Sequence, residues 1–330
     1  MVDAGAKSPE GNRRNTVHVF PLTVSQPLVP EDPQRLTLPD FILDSLRRNG
    51  LEPEPGDVVC VSSKIVALFE GRTIRLDSVA PSFRSRFLAK LFDKDPRKME
   101  LMLQDGRVAG VMPMRRIAKR RAGAQAVDRL APDPGLREQA LALVERYEFF
   151  MAMHGALINE AGIDIMNSPG GYVSRLPEAP ERSAHRLRKA LTESLGFHVP
   201  IIITDTVAPI GRLGTVDVAI GFAGLAPVER KLIAEDLFGD VRPGGANIIV
   251  DSIAAIAGAV MGQTTEMTPA ALVRGCEYVA EEGEPVSETA GMERLTYPKG
   301  TTAHGTLLTI LCTTWYHLVS LLTPGRRTRS

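Results

Sequence analysis

The sequence predicts an α+β protein of mixed sheets with flanking helices, and three observations carry that prediction. Short β-branched runs at residues 58–61, 199–204 and 216–223 have the length and composition of buried strands. Segments with helical spacing at residues 38–49, 181–195 and 248–260 lie among them. The two kinds of segment mix without the regular alternation that a doubly wound sheet requires.

Composition narrows the function classes. The 330 residues contain 39 basic and 39 acidic side chains, so no global field selects nucleic acid or an anionic membrane. Aromatics are 5 %, too few for a platform that stacks single-stranded bases. Cys60, Cys276 and Cys312 show neither metal-ligand spacing nor a disulfide framework, which fits a reducing cytoplasm. Residues 1–16 read as a polar, disordered leader without the apolar core of a secretion signal. Residues 286–330 read as a C-terminal extension. Its apolar stretch, 306–322, is shorter than the roughly 20 apolar residues of a membrane span. Thr309, Thr313, Thr314 and His317 interrupt it, so it reads as a packed helix rather than a membrane contact.

Taken in order, residues 17–24 form a strand that breaks at Pro27 and Pro30. Phe41, Ile42 and Leu46 give 38–49 a helical face, and Gly50 is its C-cap. The turn at Pro55-Gly56-Asp57 leads into the 58–61 strand, with Ser63-Lys64 opening a helix over 65–69. Pro96 starts a short helix over 95–103. Residues 104–133 carry Arg115, Arg116, Lys119, Arg120 and Arg121 and read as a basic, solvated insertion, not a nucleic-acid patch. A helix over 136–147 and one apolar strand over 149–158, with His154-Gly155 inside it, follow. The charge pattern of 181–195 is that of an exposed helix closed by Gly196. The 199–204 run is the central strand. Residues 216–223 are a strand in which Asp217 alternates with apolar neighbours. Helices over 227–238 and 248–260 and a strand over 270–273 complete the reading.

No Gly-rich phosphate loop ending in Lys-Ser/Thr, no Gly-x-Gly-x-x-Gly, no His-Glu-x-x-His and no Gly-x-Ser-x-Gly is present. What remains are oxygen donors at chain breaks. Asp205-Thr206 follow Ile201-Ile202-Ile203, and a buried carboxylate there needs a partner, for which a hard cation is suited. Gly162 permits a turn that presents Asp164 and Asn167. Met261-Gly262-Gln263-Thr264-Thr265-Glu266 follow the Ala-rich helix as a loop whose N–H groups suit phosphate. His154 is either a proton acceptor or a hydrogen-bonded core residue. Arg212 is either a carboxylate-binding residue or a surface ion pair.

From residue 17 to about 281, these pieces as a series resemble the coenzyme F-420:L-glutamate ligases, GTP-dependent γ-glutamyl ligases of deazaflavin biosynthesis. The resemblance rests on Phe20-Pro21-Leu22, Ser63-Lys64-Ile65-Val66, Glu70-Gly71-Arg72 and Asp95-Pro96-Arg97. It continues through His154-Gly155, Ala161-Gly162-Ile163-Asp164 with Asn167, and Ile203-Thr204-Asp205-Thr206. Val216-Asp217-Val218-Ala219-Ile220-Gly221, Val260-Met261-Gly262-Gln263 and Ala271-Leu272-Val273-Arg274-Gly275 complete it. It implies two interlocked lobes, a catalytic region over 17–285 and a homodimer. It further implies one Mg²⁺ or Mn²⁺ on Asp164 and Asp205, a second on Thr206 and Gln263, and K⁺ as an additional ion. GTP would be contacted by Pro21, Leu22, Thr23, Val24, Ser63, Lys64, Asn167 and the loop from Met261 through Glu266. The expected reaction joins glutamate to a deazaflavin-like carboxylate through an acyl phosphate, with Arg212 and His154 as catalytic candidates. The departures are Leu68 in place of Lys, Glu160 and Ile165 in place of Asn and Arg, and Pro209 in an altered stretch after Thr206. They leave two alternatives open: a ligase for a different acceptor, or a non-catalytic nucleotide- or cofactor-binding relative.

Overall fold

Continuous β-branched runs bury on both faces, and they set the frame of this molecule. The computed structural model describes residues 16–118, 125, 129, 133–209, 212, 214–229, 233–243 and 245–281. Strand β1 (His18–Leu22) leads through α1 (Leu38–Arg48) to β2 (Val58–Ser62) and α2 (Ser63–Phe69). A second region follows, with β3 (Thr73–Arg75), α3 (Phe83–Phe92), α4 (Pro96–Asp105), β4 (Arg107–Met112) and α5 (Met114–Ala118). It continues with α6 (Pro134–Leu143), β5 (Glu148–Met153), β6 (Ala156–Asn159) and β7 (Tyr172–Ser174). The chain returns through α7 (Pro180–Leu195), β8 (Ile201–Val207), β9 (Val216–Ala223), β10 (Ile233–Glu235) and β11 (Val241–Pro243). It then forms α8 (Ile249–Met261) and β12 (Ala270–Arg274). The fold is α+β with mixed sheets.

The main sheet has the order β1-β12-β2-β8-β9. Strand β2 pairs parallel with β8 and antiparallel with β12. Val59, Val61, Ile201 and Ile203 face a core shared with α1 and α7, through residues such as Phe41, Leu187 and Leu191. Cys60, Ile202, Ala271 and Val273 face the other way, onto Val250, Ile253 and Ala257 of α8. Each such Val or Ile contributes roughly 1.5–3 kcal/mol by leaving water. The second region packs a smaller core of Met99, Met102, Phe149, Met151 and Ile163 beside the three-stranded sheet β4-β5-β6.

A bulge divides the β8–β9 pairing. Ile203 lies opposite Gly221 and Thr204 opposite Ala219, so Ile220 is the extra residue. The Ala219 N–H donates to Asp251 Oδ1 of α8 at 2.9 Å. Beyond the bulge, Thr206 lies directly across from Asp217.

Several expectations need correction. The predicted 149–158 strand is a hairpin. His154 and Gly155 form its two-residue turn with φ of 48° and 73°, the positive values that a type I′ turn requires. The predicted helix at 227–238 is absent from its described part, which holds β10 of the β10–β11 hairpin instead. Asp236 drives that hairpin, because its Oδ1 accepts the N–H groups of Phe238 and Asp240. Residues 107–112 of the predicted insertion are β4, paired with β5, and residues 119–132 lie largely outside the described residues. The most central strand is β2, not β8. Helix α7 is not simply exposed: it buries Ala184, Leu187 and Leu191 while showing its charges on the other side. The leader and the apolar stretch 306–322 lie outside the described residues. Among the described residues no helix is long and apolar enough to cross a membrane.

Candidate active site

A cleft of about 850 Å³ opens where β2 and β8, the parallel pair, reach their carboxyl ends. That is the usual place for ligands in sheets with parallel strands. One wall is the sheet itself. Strand β8 presents alternate residues to opposite faces, so Asp205 points toward α2 and Thr206 toward α8. Ser63 Oγ, in the first turn of α2, donates to Asp205 Oδ1 at 2.7 Å. Thr206 Oγ1 donates to Asp217 Oδ1 at 2.8 Å and lies 2.9 Å from Gln263 Oε1. Gln263 Nε2 donates to the same Asp217 oxygen at 3.1 Å.

The facing wall is a left-handed turn. Glu160, Ala161 and Gly162 have φ of 52°, 57° and 65°, and Asn167 has 53°. Glu160 is tied down by the Phe149 N–H at 2.9 Å and by Lys94 Nζ at 2.8 Å. A two-way backbone bridge between Asp164 and Ser174 fixes the next stretch. Lys64 Nζ donates to Asp164 Oδ2 at 2.6 Å and to the Met166 carbonyl at 2.6 Å, crossing from α2 to the turn. Asn167 Nδ2 donates to the Thr264 carbonyl at 2.5 Å and so ties the turn to the 261–268 loop.

Burial dominates the electrostatics. It pushes the Asp205 carboxyl up to about 7, with Ser63 opposing and the charges of Asp217 and Asp164 adding to the rise. Burial also raises Asp217, against the donors from Thr206 and Gln263. In the loop, the Glu266 carboxylate accepts the Thr264 N–H at 2.7 Å. Exposed backbone N–H groups there hold Glu266 below its ordinary range, so the loop stabilises an anion.

Most of the expected residues line this cleft: Val24, Ser63, Lys64, Asn167, the loop from Met261 through Glu266, Asp164, Asp205 and Thr206. Five do not. Pro21 is an exposed residue of β1, Leu22 is fully buried in the core, and Thr23 bonds Asn49 at the end of α1. His154 sits in the hairpin turn, its imidazole pushed down to about 4 by burial. Arg212 is exposed beyond the end of β8. Three further cleft residues, Asp217, Thr204 and Ser62, carried no expected role. Leu68 contributes an apolar side chain to the same wall. Among the described residues no group of three or more His, Cys, Asp or Glu side chains is arranged to hold a metal. The expected donor sets use fewer acids, pairing two carboxylates in one and a hydroxyl with an amide in the other.

Comparison with known proteins identifies the family. The profile of the family described as F420-0:Gamma-glutamyl ligase matches residues 33–275. The chain is 33 % identical over 251 residues to the coenzyme F420:L-glutamate ligase of Methanopyrus kandleri, covering 76 % of this chain and 87 % of that protein. It is 29 % identical over 235 residues to the protein of that name from Methanothermobacter thermautotrophicus, covering 71 % and 81 %. For Archaeoglobus fulgidus the identity is 31 % over 228 residues, covering 69 % and 79 %. The matched span contains both walls of the cleft, and the chain is an enzyme of the F420-0:gamma-glutamyl ligase family.

Proposed function

We propose that this protein joins L-glutamate to the carboxylate of F420-0, consuming GTP in the cleft with the help of divalent cations. The observation that carries this reading is that Asp164 and Asp205 line the same cleft from opposite walls, with the charge of Asp164 adding to the rise at Asp205.

The donor chemistry fits a cation. Asp205 is a crowded, half-buried carboxylate with one side-chain donor, and a bound Mg²⁺ or Mn²⁺ would relieve its repulsion from Asp164 and Asp217. Asp164 and Asp205 would hold one ion, and Thr206 and Gln263 a second. Such ions supply charge neutralisation for phosphoryl transfer. The chain's own groups do the rest. The N–H groups of the loop that now hold the Glu266 carboxylate suit a phosphate, and Lys64 is placed to meet its charge. In the reaction a carboxylate oxygen of the acceptor takes the terminal phosphoryl group and GDP leaves. The amine of glutamate then attacks the acyl carbon, loses a proton and expels phosphate. No side-chain nucleophile is required.

The test is incubation of purified protein with GTP, Mn²⁺, L-glutamate and F420-0. The expected result is one GDP for each glutamyl residue gained by the acceptor in its mass spectrum. GTP left intact under these conditions would overturn the reading. The exposed position of Arg212 outside the cleft favours a second reading, a ligase for a different carboxylate acceptor. In that case GDP forms only when the acceptor is exchanged.

A further inference from the structure

Asp217 holds neither ion nor substrate in the reading above, yet it is the hub of one side of the cleft. It is 6 % exposed, and it meets three elements at once. Its own strand places it directly across from Thr206. Its Oδ1 accepts the Thr206 hydroxyl at 2.8 Å and the Gln263 amide N–H at 3.1 Å. Helix α8 closes over it at Gly258, where a Cβ would lie 2.7 Å from the carboxyl group. A glycine at this place leaves the carboxylate room that no other residue would.

The hydrogen-bond count decides what this arrangement does. A hydroxyl has one proton, and Thr206 has two acceptors within reach, Asp217 Oδ1 and Gln263 Oε1. The carboxylate is the stronger acceptor and the nearer one. With the proton on that side, Thr206 Oγ1 and Gln263 Oε1 are two lone-pair oxygens 2.9 Å apart with no proton between them. Two adjacent ligands of an octahedral cation at about 2.1 Å stand about 3.0 Å apart. We infer that Asp217 is a positioning residue. It draws off the donors of Thr206 and Gln263 and turns their oxygens toward a divalent cation. This rests on the cation reading proposed above and extends it to a residue outside both donor sets.

The experiment is Mn²⁺ titration of the whole protein in the presence of GDP, followed by the electron paramagnetic resonance of free Mn²⁺. The wild-type protein is expected to bind two ions. Asp217→Ala removes the acceptor, and the site on Thr206 and Gln263 should lose 10- to 100-fold in affinity, the usual effect of losing a group that orients a ligand. Asp217→Asn keeps an acceptor oxygen and should recover part of that loss. Gly258→Ala, which crowds the carboxylate without deleting it, should weaken the same site and spare the other. Should Asp217→Ala prove too unstable to purify, Asp217→Asn and Gly258→Ala decide alone. Two sites of wild-type affinity in all purified variants would overturn the inference while leaving the cation reading intact. A wild-type protein that binds no Mn²⁺ with GDP would overturn both.

Discussion

The two walls of the cleft are built on opposite principles. The wall carrying Asp205, Thr206 and Asp217 belongs to paired strands whose ladder fixes each side chain, and no residue on it has positive φ. The wall carrying Asp164 and Asn167 is a turn with positive φ at Glu160, Ala161, Gly162 and Asn167. Each non-glycine residue in that region costs roughly 1–2 kcal/mol. The surroundings must therefore over-determine the turn. Lys94, whose side chain is only 3 % exposed, does so by binding Glu160 and Glu145 together. The Asp164–Ser174 bridge and Lys64 complete the restraint. The difference shows where precision comes from. The sheet wall inherits it from a buried core, whereas the turn wall takes it from a few charged and backbone contacts.

The comparison breaks most visibly at Gly162. A Cβ there would lie 2.5 Å from Leu176 Cγ in the core, at a φ of 65°. Gly162→Ala should cost about 2–4 kcal/mol, from left-handed backbone strain together with overpacking. Chemical denaturation should show the loss, and Mn²⁺ affinity should fall with it. A variant of unchanged midpoint would mean that the turn is not held as described.

A much smaller effect is expected at His154, which shares the second region but not the cleft. Asn is the residue best suited to a type I′ turn before glycine, so His154→Asn should change stability at pH 7 by no more than about 0.5 kcal/mol. Ligase turnover should be unaffected. The pH dependence should change, however. Burial depresses the folded-state value from 6.5 to about 4, so the unfolded chain binds the extra proton first. This contribution is fully present above about 6.5 and is lost as pH falls toward and through 4. His154→Asn should flatten the stability profile in that window. An unchanged profile would show that the imidazole titrates normally.

Legibility in the sequence follows the same division. Asp205-Thr206 stand out because a carboxylate after three isoleucines is chemically conspicuous. Gly162 flags the turn that presents Asp164. Asp217 does not stand out, since a polar residue alternating in a strand reads the same whether its face meets water or α8. Only the packing of Gly258 against it reveals that the carboxylate is buried. His154-Gly155 hides a hairpin because the apolar residues on both sides read as one strand and the pair is not the usual Asn-Gly or Asp-Gly. The 227–238 error has a comparable cause: Leu232, Ile233 and Leu237 imitate a helical face, while Asp236 and Gly239 set a turn.

The central claim is that the two walls grip one cation between Asp164 and Asp205. A double-mutant cycle of Mn²⁺ affinity in the presence of GDP tests it directly, using Asp164→Asn, Asp205→Asn and both together. If they share an ion, either single change removes most of that site's affinity and the double variant is hardly worse than the weaker single one. Losses that simply add would place the two carboxylates on separate ions and contradict the account.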